Sequence, residues 1–403
     1  MPKIVKVPQL AWHNPRELAL TFPDSWDVEV LNMAGYNTPA MTTEQIKASI
    51  TNLIGSPPIR ELAKGKKEVV ITFDDITRVT RIAQMVPFVL DELATAGVSD
   101  NQIRFIAAIG THGPMTRIEF VKKLGEDVVA RFPVFNHNPY ENCTYVGTTS
   151  RGNKVHINTE YTRCDFKIAI GSCTPHGFAV YSGGGKNILP GVSSIDTIYY
   201  NHTMELTDQT KFDWDKNPRR HDMEETAKLA GVDVLIESIF NSWGDPVVIF
   251  AGNETLAHEQ AANYARGHYR TKKAENKDIV ISNTYAKAME AATGLSKAVS
   301  VRNGGDMVLI SNAPEGQVNH YLCGPWGKTT AGRLMFEFQT PPHLNHLIMY
   351  TEYPDRAGLQ WFRASAKILA LQKWADVIKT LKECHGDKAS VTVYPNADVQ
   401  QFG

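Results

Sequence analysis

Short runs of β-branched and other apolar residues alternate with longer amphipathic stretches from about residue 40 onward. Residues 69–73, 103–109 and 166–170 are three such runs in the first half of the chain. This alternation predicts βαβ units with mainly parallel sheets. Because 403 residues exceed the usual size of a single hydrophobic core, the expected fold class is α/β, with two α/β domains.

A charged stretch at residues 270–277 separates this first set of runs from a second set. The second set comprises apolar runs at 279–282, 307–310, 346–350 and 391–394, with an amphipathic stretch at 364–383 that predicts a long helix. We therefore expect an N-terminal domain over residues 1–260, joined by the C-terminal tail 391–403. A second α/β domain is expected over residues 261–390.

Composition narrows the class of partner. The net charge is −1, which gives no electrostatic footprint for nucleic acid or for an anionic membrane, so we expect a small-molecule partner. The five cysteines are scattered and never form a C-x-x-C pair, which argues against a disulfide framework and a cysteine zinc site. No run approaches the roughly 18 apolar residues of a membrane span, and no signal-peptide pattern is present. A cytoplasmic location is expected.

Polar clusters follow three early strands at their carboxyl ends, at residues 74–78, 110–113 and 171–177. In open α/β sheets ligands bind outside the carboxyl ends of the strands, so we expect these loops to face one site. His112 and His176 are candidates for acid–base groups on opposite faces of a substrate, because histidine titrates near neutrality. A structural role, such as capping a helix, is the alternative for either histidine.

Asp75 and Arg78 lie three positions apart in the first of these loops. As an exposed ion pair they would contribute only about 0–1 kcal/mol to stability. Their place directly after a strand favours ligand binding instead. Arginine binds a carboxylate or phosphate through two hydrogen bonds, and aspartate accepts hydrogen bonds from hydroxyl groups.

Three consecutive glycines and a lysine stand between two histidines in residues 176–202. In chain order these residues are His176, Gly183, Gly184, Gly185, Lys186 and His202. Glycine N–H groups can converge on an anion, so a phosphate-binding loop is one interpretation. The segment is not a P-loop, because Asn187 follows Lys186 where that motif requires serine or threonine. Spacing alone leaves His202 open between packing at a helix end and binding a metal.

Three motifs within residues 74–202 carry a resemblance to a known family. They are Asp74-Asp75-x-Thr77-Arg78, then Gly110-Thr111-His112, then Pro175-His176 through Ser182-Gly183-Gly184-Gly185-Lys186-x-Ile188-x-Pro190-Gly191 to Asn201-His202. Together they resemble the lactate racemase family, whose members are nickel-pincer nucleotide-dependent racemases and epimerases. The resemblance implies an active site in the cleft between two α/β domains. The first domain would hold the cofactor and catalytic groups, and the second would contact the substrate.

The cofactor that the resemblance implies is a nicotinate-derived mononucleotide that binds nickel through two sulfur atoms and a ring carbon. Lys186 would attach this nickel-pincer nucleotide covalently, and His202 would ligate the nickel. Soft sulfur donors with an imidazole suit square-planar Ni(II). Asp75 and the glycines Gly183, Gly184 and Gly185 would contact the cofactor, Asp75 in a supporting role. The proteins that make the cofactor are implied partners, and a homo-oligomer is a further expectation.

The implied reaction inverts C2 of a 2-hydroxy acid. A base takes the proton of the 2-hydroxyl while the C2 hydrogen leaves as a hydride to the cofactor, and the keto acid is then reduced from its other face. The resemblance assigns the two acid–base roles to His112 and His176. It assigns substrate binding and polarisation to Arg78.

The substrate clamp of lactate-specific family members is missing or displaced in this sequence. That clamp is a tyrosine–glutamine pair with a lysine three residues later, where ungapped alignment places Ala292, Thr293 and Ser296, with Lys297 one position away. Losing a charge-assisted contact to a carboxylate costs about 1.5–3 kcal/mol. We therefore expect a substrate larger or more polar than lactate. The residues expected to bind it from the second domain are Tyr285, Lys287, Lys297, His320 and Trp326.

The sequence thus predicts a racemase or epimerase acting on a 2-hydroxy acid. One alternative is a pincer-dependent epimerisation or redox step on another alcohol. A second is a nucleotide- or phosphate-binding protein without catalysis, in which the glycines form only an anion site. A zinc hydrolase is disfavoured, because the sequence has no H-E-x-x-H motif.

Overall fold

The computed structural model describes residues 3–322, 338–353, 355, 358–363 and 365–403, with side chains at all of these except 358 and 360. Two compact units divide the chain. We refer to Thr38–Arg266 as the first unit, and to Met1–Asn37 with Gly267–Gly403 as the second unit.

The described secondary structure mixes strands and helices along the whole chain. The strands are β1 (Lys3–Gln9), β2 (Arg16–Phe22), β3 (Asp27–Val30), β4 (Val69–Phe73), β5 (Ile103–Ala107), β6 (Val134–Asn136), β7 (Cys143–Thr148), β8 (Lys154–Asn158), β9 (Phe166–Ser172), β10 (Pro175–His176), β11 (Val180–Tyr181), β12 (Val234–Phe240), β13 (Pro246–Gly252), β14 (Arg270–Thr271), β15 (Lys277–Thr284), β16 (Val301–Ser311), β17 (Leu347–Tyr350), β18 (Ile368–Leu371), β19 (Ser390–Tyr394) and β20 (Gln401–Phe402). The helices are α1 (Thr43–Thr51), α2 (Ile59–Leu62), α3 (Val86–Thr95), α4 (Arg117–Leu124), α5 (Glu126–Arg131), α6 (Thr159–Arg163), α7 (Ile195–Thr203), α8 (Pro218–Ala230), α9 (Glu254–His268) and α10 (Trp374–His385). Segments of 3₁₀ helix are Ile82–Gln84, Asp100–Gln102, Gly184–Asn187, Ala288–Ser300 and Gly358–Trp361. Each described helix is too short or too polar to cross a membrane.

The first unit is built on a six-stranded sheet with the order β13-β12-β9-β4-β5-β6. All neighbours are parallel except β12 and β13, which confirms the prediction of α/β units with mainly parallel sheets. Every residue of β4 is buried, as a central strand covered on both faces requires. Phe73 at its end pairs with Ala107 of β5 and with Ile170 of β9. The loops that follow these three strands therefore leave the same edge of the sheet.

Local sequence signals determine where the helices of this unit begin. The hydroxyl of Thr42 accepts a hydrogen bond from the N–H of Gln45, whose side chain bonds back to the N–H of Thr42. Thr116 and Glu119 form the same capping box at the start of α4. Each box satisfies backbone N–H groups that have no partner inside the helix. The cap predicted at Thr42 is confirmed.

The second unit contains a parallel six-stranded sheet with the order β18-β17-β16-β15-β19-β3. The hairpin of β1 and β2 packs on it, and Val7, Leu20 and Trp26 are fully buried among the side chains of the sheet. The indole N–H of Trp26 donates to the carbonyl of Gly386 at 3.1 Å. The N-terminal segment thus completes the hydrophobic core of the second unit.

This division differs from the expected domain boundaries at both ends of the chain. Residues 1–37, expected in the N-terminal domain, lie in the second unit, and so does the tail 391–403. The physical reason is the pairing of β3 with β19, in which Asp27 lies beside Ser390. Such a pairing joins segments more than 350 residues apart, and no local sequence pattern specifies it.

The long helix expected at residues 364–383 is confirmed only from Trp374 onward, and its first part is wrong. Ile368–Leu371 forms β18, which pairs in parallel with β17, and α10 begins only at Trp374. A short apolar run fits either a strand or a buried helix by periodicity. Here the exposed edge of β17 provides the hydrogen-bonding partners that select the strand.

Candidate active site

Three loops leave the neighbouring strands β9, β4 and β5 at the same edge of the first-unit sheet. Asp75 and Arg78 follow β4, His112 follows β5, and His176 follows β9. The loop after β5 also contacts the end of the glycine-rich segment, since the N–H of Gly110 donates to the carbonyl of Gly191 at 2.9 Å. The three loops therefore leave one edge of the sheet, and the expectation that they face one ligand site stays a prediction.

His112 and Asp75 form a buried pair in this group. Nδ1 of His112 lies 2.7 Å from Oδ2 of Asp75, and the two side chains are 12% and 7% exposed. The N–H of Thr77 donates to the other carboxylate oxygen at 2.8 Å. Burial alone would raise the pKa of Asp75, but the His112 imidazole and further partners outweigh it and lower the pKa to about 2. The carboxylate is therefore ionised at neutral pH and accepts a hydrogen bond from the Nδ1–H of His112.

A buried lysine holds the loop after β4, and sequence reasoning missed it. Lys123 of α4 is fully buried, and its Nζ lies 2.5 Å from Oδ1 of Asp74. The same ammonium donates to the carbonyls of Arg78 and Thr80 at 3.1 and 3.3 Å. Lys123 follows Lys122 in an amphipathic helix, where a lysine pair usually marks a solvated face. Its burial positions the backbone that presents Arg78.

His176 and His202 meet across one aromatic ring. The ring of Phe178 contacts both imidazoles edge-on, with centroids 6.1 Å from His176 and 5.4 Å from His202. His202 lies in the last turn of α7 and is 9% exposed. The guanidinium of Arg219 lies 4.7 Å above the Phe178 ring, where a cation is favoured. The structure therefore brings together one expected catalytic residue and the expected nickel ligand.

His112 and His176 have their Nδ1 atoms in opposite hydrogen-bonding roles. Nδ1 of His176 lies 3.1 Å from the N–H of Phe178 and accepts its hydrogen bond. A neutral His176 therefore carries its proton on Nε2, whereas His112 carries its proton on Nδ1 beside Asp75. In their neutral forms, Nε2 of His112 is a hydrogen-bond acceptor and the Nε2–H of His176 is a hydrogen-bond donor. The two residues therefore offer opposite hydrogen-bonding partners to a substrate oxygen.

The three glycines form a buried turn rather than an open anion-binding loop. Gly183 and Gly184 have φ values of +88° and +51°, which favour glycine. The N–H of Lys186 donates to the carbonyl of Gly183 at 3.0 Å, which closes a 3₁₀ turn. The N–H of Gly184 donates to the carboxylate of Glu237, so this group is directed at the protein and not at an anion.

Lys186 leaves this turn with its backbone fixed on both sides. Its carbonyl accepts a hydrogen bond from the N–H of Gly191 at 3.2 Å, and its side chain is half-buried. Helix α8 packs directly against the turn, because a Cβ atom at Gly185 would lie 2.6 Å from the carbonyl oxygen of Met223. Close packing against the protein therefore requires glycine next to Lys186.

Glu237 and His258 support the glycine turn, and sequence reasoning missed both. Glu237 of β12 is completely buried, and its second carboxylate oxygen lies 2.8 Å from Nδ1 of His258 in α9. Burial alone would lower the pKa of His258, but the charge and hydrogen bond of Glu237 outweigh it and raise the pKa. The available signal was a carboxylate in the middle of the apolar run Val234–Phe240. A buried carboxylate needs partners, and here they are the turn and an imidazole.

The loop after β15 in the second unit is held by a single carboxylate. Tyr285 and Lys287 are both buried, and their N–H groups donate to Oδ2 of Asp398 at 2.9 and 2.5 Å. Burial raises the pKa of Asp398. Both residues were expected to contact the substrate, and the structure places them together on the C-terminal tail.

Lys297 is also buried against the C-terminal tail. Its ammonium donates to the carbonyl of Gln400 at 2.7 Å and lies 4.7 Å from the centre of the Phe402 ring. Burial lowers the pKa of Lys297 to about 7. These contacts fix the Lys297 side chain against the C-terminal tail within the second unit.

Of the remaining two residues expected to contact the substrate from the second domain, the structure describes His320 but not Trp326. His320 packs edge-on against Trp361 at 5.9 Å, and its Nδ1 accepts a hydrogen bond from the N–H of Leu322 at 3.2 Å. Trp326 lies outside the described residues.

A cavity of about 340 Å³ lies at the carboxyl ends of β16, β17 and β18. Ser311, Tyr350 and Leu371 line it at the strand ends, and Gln317 and Asp355 line it from the following loops. The N–H of Gln317 donates to Oδ2 of Asp355 at 2.6 Å. This edge of a parallel sheet is where α/β proteins bind ligands.

Potential metal ligands form two groups of three among the described residues. One group is Cys173, Glu237 and His258, and the other is Asp306, His346 and Cys384. Neither group contains His202, whose imidazole lies beside Phe178 instead.

Comparison with protein families identifies one match in the first half of the chain. The family model described as the lactate racemase N-terminal domain matches residues 14–213. Lactate racemase from Thermoanaerobacterium thermosaccharolyticum is 30% identical over 313 residues, which cover 74% of this chain and 73% of the relative. Lactate racemase from Lactiplantibacillus plantarum is 29% identical over 298 residues, 71% of this chain and 70% of the relative.

Solved structures show the same fold. The lactate racemase apoprotein from Thermoanaerobacterium thermosaccharolyticum superposes with a TM-score of 0.75 at 23% identity over the full length of both chains. A protein from Thermotoga maritima superposes with a TM-score of 0.67 at 16% identity, over 90% of this chain and 99% of that chain.

Proposed function

Because the chain belongs to the lactate racemase family and is therefore an isomerase, we propose that it inverts C2 of a 2-hydroxy acid. The observation that carries the proposal is the complementary hydrogen bonding of two histidines. His112 is held by Asp75 with its proton on Nδ1, and His176 is held by a backbone N–H with its proton on Nε2. Inversion requires one acid–base group for each face of the substrate, and these two residues supply opposite forms.

The residues present fit the family's nickel-pincer nucleotide. Lys186 stands on a rigid turn as the expected covalent attachment point, and the imidazole of His202 is the expected nickel ligand. Neither group of potential metal ligands among the described residues includes His202, so a metal held there would take its other ligands from a bound group. When bound, this cofactor supplies the acceptor and donor of the hydride at C2. Proteins that make the cofactor are the partners that the proposal requires.

The protein's own part in the reaction is proton transfer and positioning. One histidine accepts the proton of the 2-hydroxyl through Nε2, and the other, protonated to the imidazolium, returns a proton when the keto group is reduced from the opposite face. Asp75 keeps the tautomer of His112 fixed and stabilises its charged form, which makes Asp75 a positioning residue. This role rests on the 2.7 Å contact, and the cofactor contact expected for Asp75 stays a prediction beside it.

Arg78 is the proposed ligand for the substrate carboxylate. Its guanidinium lies beside the hydroxyl of Thr77 at 2.8 Å, and the carbonyl of Arg78 is held by Lys123. A planar guanidinium matches a carboxylate through two hydrogen bonds. A fixed backbone lowers the conformational entropy that is lost when the side chain binds.

The substrate is proposed to be larger or more polar than lactate. Ala292, Thr293 and Ser296 stand where the lactate clamp has polar and charged side chains. Of the expected replacements, Lys297 donates to the carbonyl of Gln400, and the backbone N–H groups of Tyr285 and Lys287 both donate to Asp398. The family's substrate contacts come from this part of the chain, so substitutions there should change the acid that is used.

A non-catalytic phosphate-binding role is less favoured by the structure. It requires the glycine N–H groups to converge on an anion, and the N–H of Gly184 donates to Glu237. The negative charge of the Glu237 carboxylate beside the glycines would repel a bound anion.

The proposal is tested with holo-protein produced together with the cofactor's biosynthesis proteins. Single enantiomers from a panel of 2-hydroxy acids are incubated in D₂O, and both inversion and deuterium at C2 are measured. We expect inversion with little deuterium incorporated, since the hydride returns to the carbon that lost it. Extensive incorporation of solvent deuterium would show that C2 is deprotonated instead, and absence of inversion across the panel would reject a racemase.

A further inference from the structure

Four side chains with metal-binding chemistry meet at one end of the second-unit sheet. Asp306 lies in β16 immediately before the residues that pair with β17, and His346 immediately precedes β17. Cys384 and His385 are the last two residues of α10. They gather at the amino ends of the parallel strands. The cavity lined by Ser311 and Tyr350 lies at the carboxyl ends, so this group is separate from the ligand edge of the sheet.

The distances join these side chains into one cluster. Nδ1 of His346 lies 3.0 Å from Oδ1 of Asp306 and 3.8 Å from Sγ of Cys384. One ligand atom from each of these three residues lies within 4.8 Å of both others. Asp306 is completely buried, whereas Cys384 is exposed, so the cluster has a buried anchor and an opening to solvent.

These separations match the ligand spacing of a tetrahedral zinc site. Zinc–nitrogen and zinc–oxygen bonds of about 2.0–2.1 Å and zinc–sulfur bonds of about 2.3 Å place tetrahedral N and O ligands about 3.3 Å apart. The same geometry places N and S ligands about 3.6 Å apart. The observed separations of 3.0 and 3.8 Å differ from these by about 0.3 and 0.2 Å, respectively. Imidazole, thiolate and carboxylate are also the three ligand types that zinc prefers.

A hydrogen bond with His385 orients the carboxylate of Asp306. Nε2 of His385 lies 2.6 Å from Oδ2 of Asp306, the oxygen that does not face His346. The N–H of His346 donates to Oδ1 at 2.8 Å. Carboxylates that ligate metals are held by hydrogen bonds of this kind, which fix their orientation. The arrangement leaves Oδ1 directed at the imidazole and the thiol.

The amide of Asn345 indicates where a cation would sit. Its Nδ2 lies 2.9 Å from Nδ1 of His346, 3.2 Å from Oδ1 of Asp306 and 3.7 Å from Sγ of Cys384. One nitrogen thus lies among all three ligand atoms, although the amide has only two N–H groups and carries no full positive charge. A divalent cation in this position would serve all three ligand atoms, with the Asn345 side chain turned outward.

We propose that Asp306, His346 and Cys384 bind a Zn²⁺-type cation that fastens the end of α10 to β16 and β17. A water molecule takes the fourth position, on the side of Cys384 that faces solvent. Binding releases the thiol proton of Cys384, because the thiolate is the ligand. The cation stabilises the second unit, since a ligand that binds only the folded chain raises its stability. The absence of a C-x-x-C motif had argued against a cysteine zinc site, but this site draws one ligand from each of three distant segments.

Cobalt provides the direct test, because a Co²⁺ ion bound to a thiolate has an intense charge-transfer absorption. The full chain, made without cofactor and stripped by a chelator, is titrated with Co²⁺ and then with Zn²⁺. We expect a thiolate-to-cobalt band that saturates at one equivalent and is abolished by Zn²⁺. Cys384→Ser should lose the band. The matched control Cys143→Ser, which changes a half-buried cysteine of the first unit, should retain it.

Thermal unfolding separates a lost ligand from a misfolded variant. Zn²⁺ should raise the melting temperature of the wild type and of Cys143→Ser by several degrees, with little effect on Cys384→Ser or His346→Gln. A cooperative transition of the metal-free variants shows that they are folded. The proposal is wrong if the wild type shows no thiolate band, or if the band and the thermal shift persist in Cys384→Ser. Because no step uses the pincer cofactor, these outcomes do not depend on the racemase activity.

Discussion

Nδ1 of His112 lies 2.7 Å from the carboxylate of Asp75, although the two residues are 37 positions apart and follow different strands. The contact exists because β4 and β5 are parallel neighbours whose ends align at Phe73 and Ala107. Two weak sequence signals thereby become one hydrogen-bonded pair. Because the carboxylate occupies Nδ1, Nε2 is the nitrogen of His112 that exchanges a proton in the proposed reaction.

The charge of Asp75 should be essential for turnover but not for cofactor attachment. Asp75→Asn keeps the shape of the side chain, but its amide cannot stabilise a charged His112. We expect kcat to fall about 10²–10⁴-fold in both directions, the range contributed by a positioned acid–base group. The control Asp100→Asn changes an exposed carboxylate paired with Arg131 and should leave kcat unchanged. Intact mass should show normal attachment to Lys186; a loss of the adduct would instead assign Asp75 to cofactor binding.

Gly184→Ala should disrupt the turn that carries Lys186. A methyl group there would lie about 2.5 Å from the His258 ring, at a φ of +51° that disfavours a side chain. Left-handed backbone and overpacking together should lower the free energy of unfolding by roughly 2–4 kcal/mol. Chemical denaturation and the mass of the Lys186 adduct measure the two effects. Gly267→Ala, where the added methyl meets open space within α9, should lower neither quantity.

Glu237→Gln should weaken the same turn from its other side. The amide oxygen can still accept the N–H of Gly184, but the charge that faces His258 is lost. Breaking a buried pair costs about 3–5 kcal/mol, so we expect a lower denaturation midpoint and less cofactor on Lys186. Glu259→Gln, at an exposed position of α9, is the control. Unchanged loading in a clearly destabilised Glu237→Gln would limit the role of Glu237 to stability.

Stability should fall in mild acid because of His137. Its Nε2 donates to the carbonyl of Ser193 at 2.8 Å and its Nδ1 accepts from Asn158, so the buried ring is neutral. Burial lowers its pKa from 6.5 to about 4. The unfolded chain therefore takes up a proton first, so this contribution is full above pH 6.5 and is lost as the pH falls to 4.

At 1.36 kcal/mol per pKa unit, the loss corresponds to about 3 kcal/mol. Urea unfolding between pH 7 and pH 4 measures it. His137→Gln, which can keep the bond to Ser193, should flatten the curve in this interval, whereas His156→Gln on β8 should not. An unchanged slope in His137→Gln would assign the acid sensitivity to other groups.

The sequence was most informative where one local pattern determines one element. The apolar run at 69–73 became β4, and the cap at Thr42 begins α1, because both depend on residues close in the chain. The three loops could also be assigned to one edge, since parallel strands present their ends together. Strand pairing between distant segments had no such signal, as β3 with β19 and the edge strand at 368–371 show.

The candidate site shows the same division between local and tertiary information. His112 and His176 stand beside glycine or proline in motifs that can be read directly. Lys123 and Glu237 lie inside a helix and a strand, and only burial shows that they hold the loops in place. The three glycines suggested an open anion-binding loop, whereas they form a packed turn. The sequence could not show this, because the atoms that require glycine come from the distant elements β12, α8 and α9.

The most direct test of the account is a single-turnover comparison of His112→Asn and His176→Asn as holo-proteins. Each variant is mixed in excess with either enantiomer of the 2-hydroxy acid that the wild type uses best, and the keto acid formed is measured. Each should form keto acid from only one enantiomer, opposite for the two variants, and neither should racemise. If both variants oxidise the same enantiomer, or if either still racemises at the wild-type rate, then His112 and His176 do not serve opposite faces of the substrate.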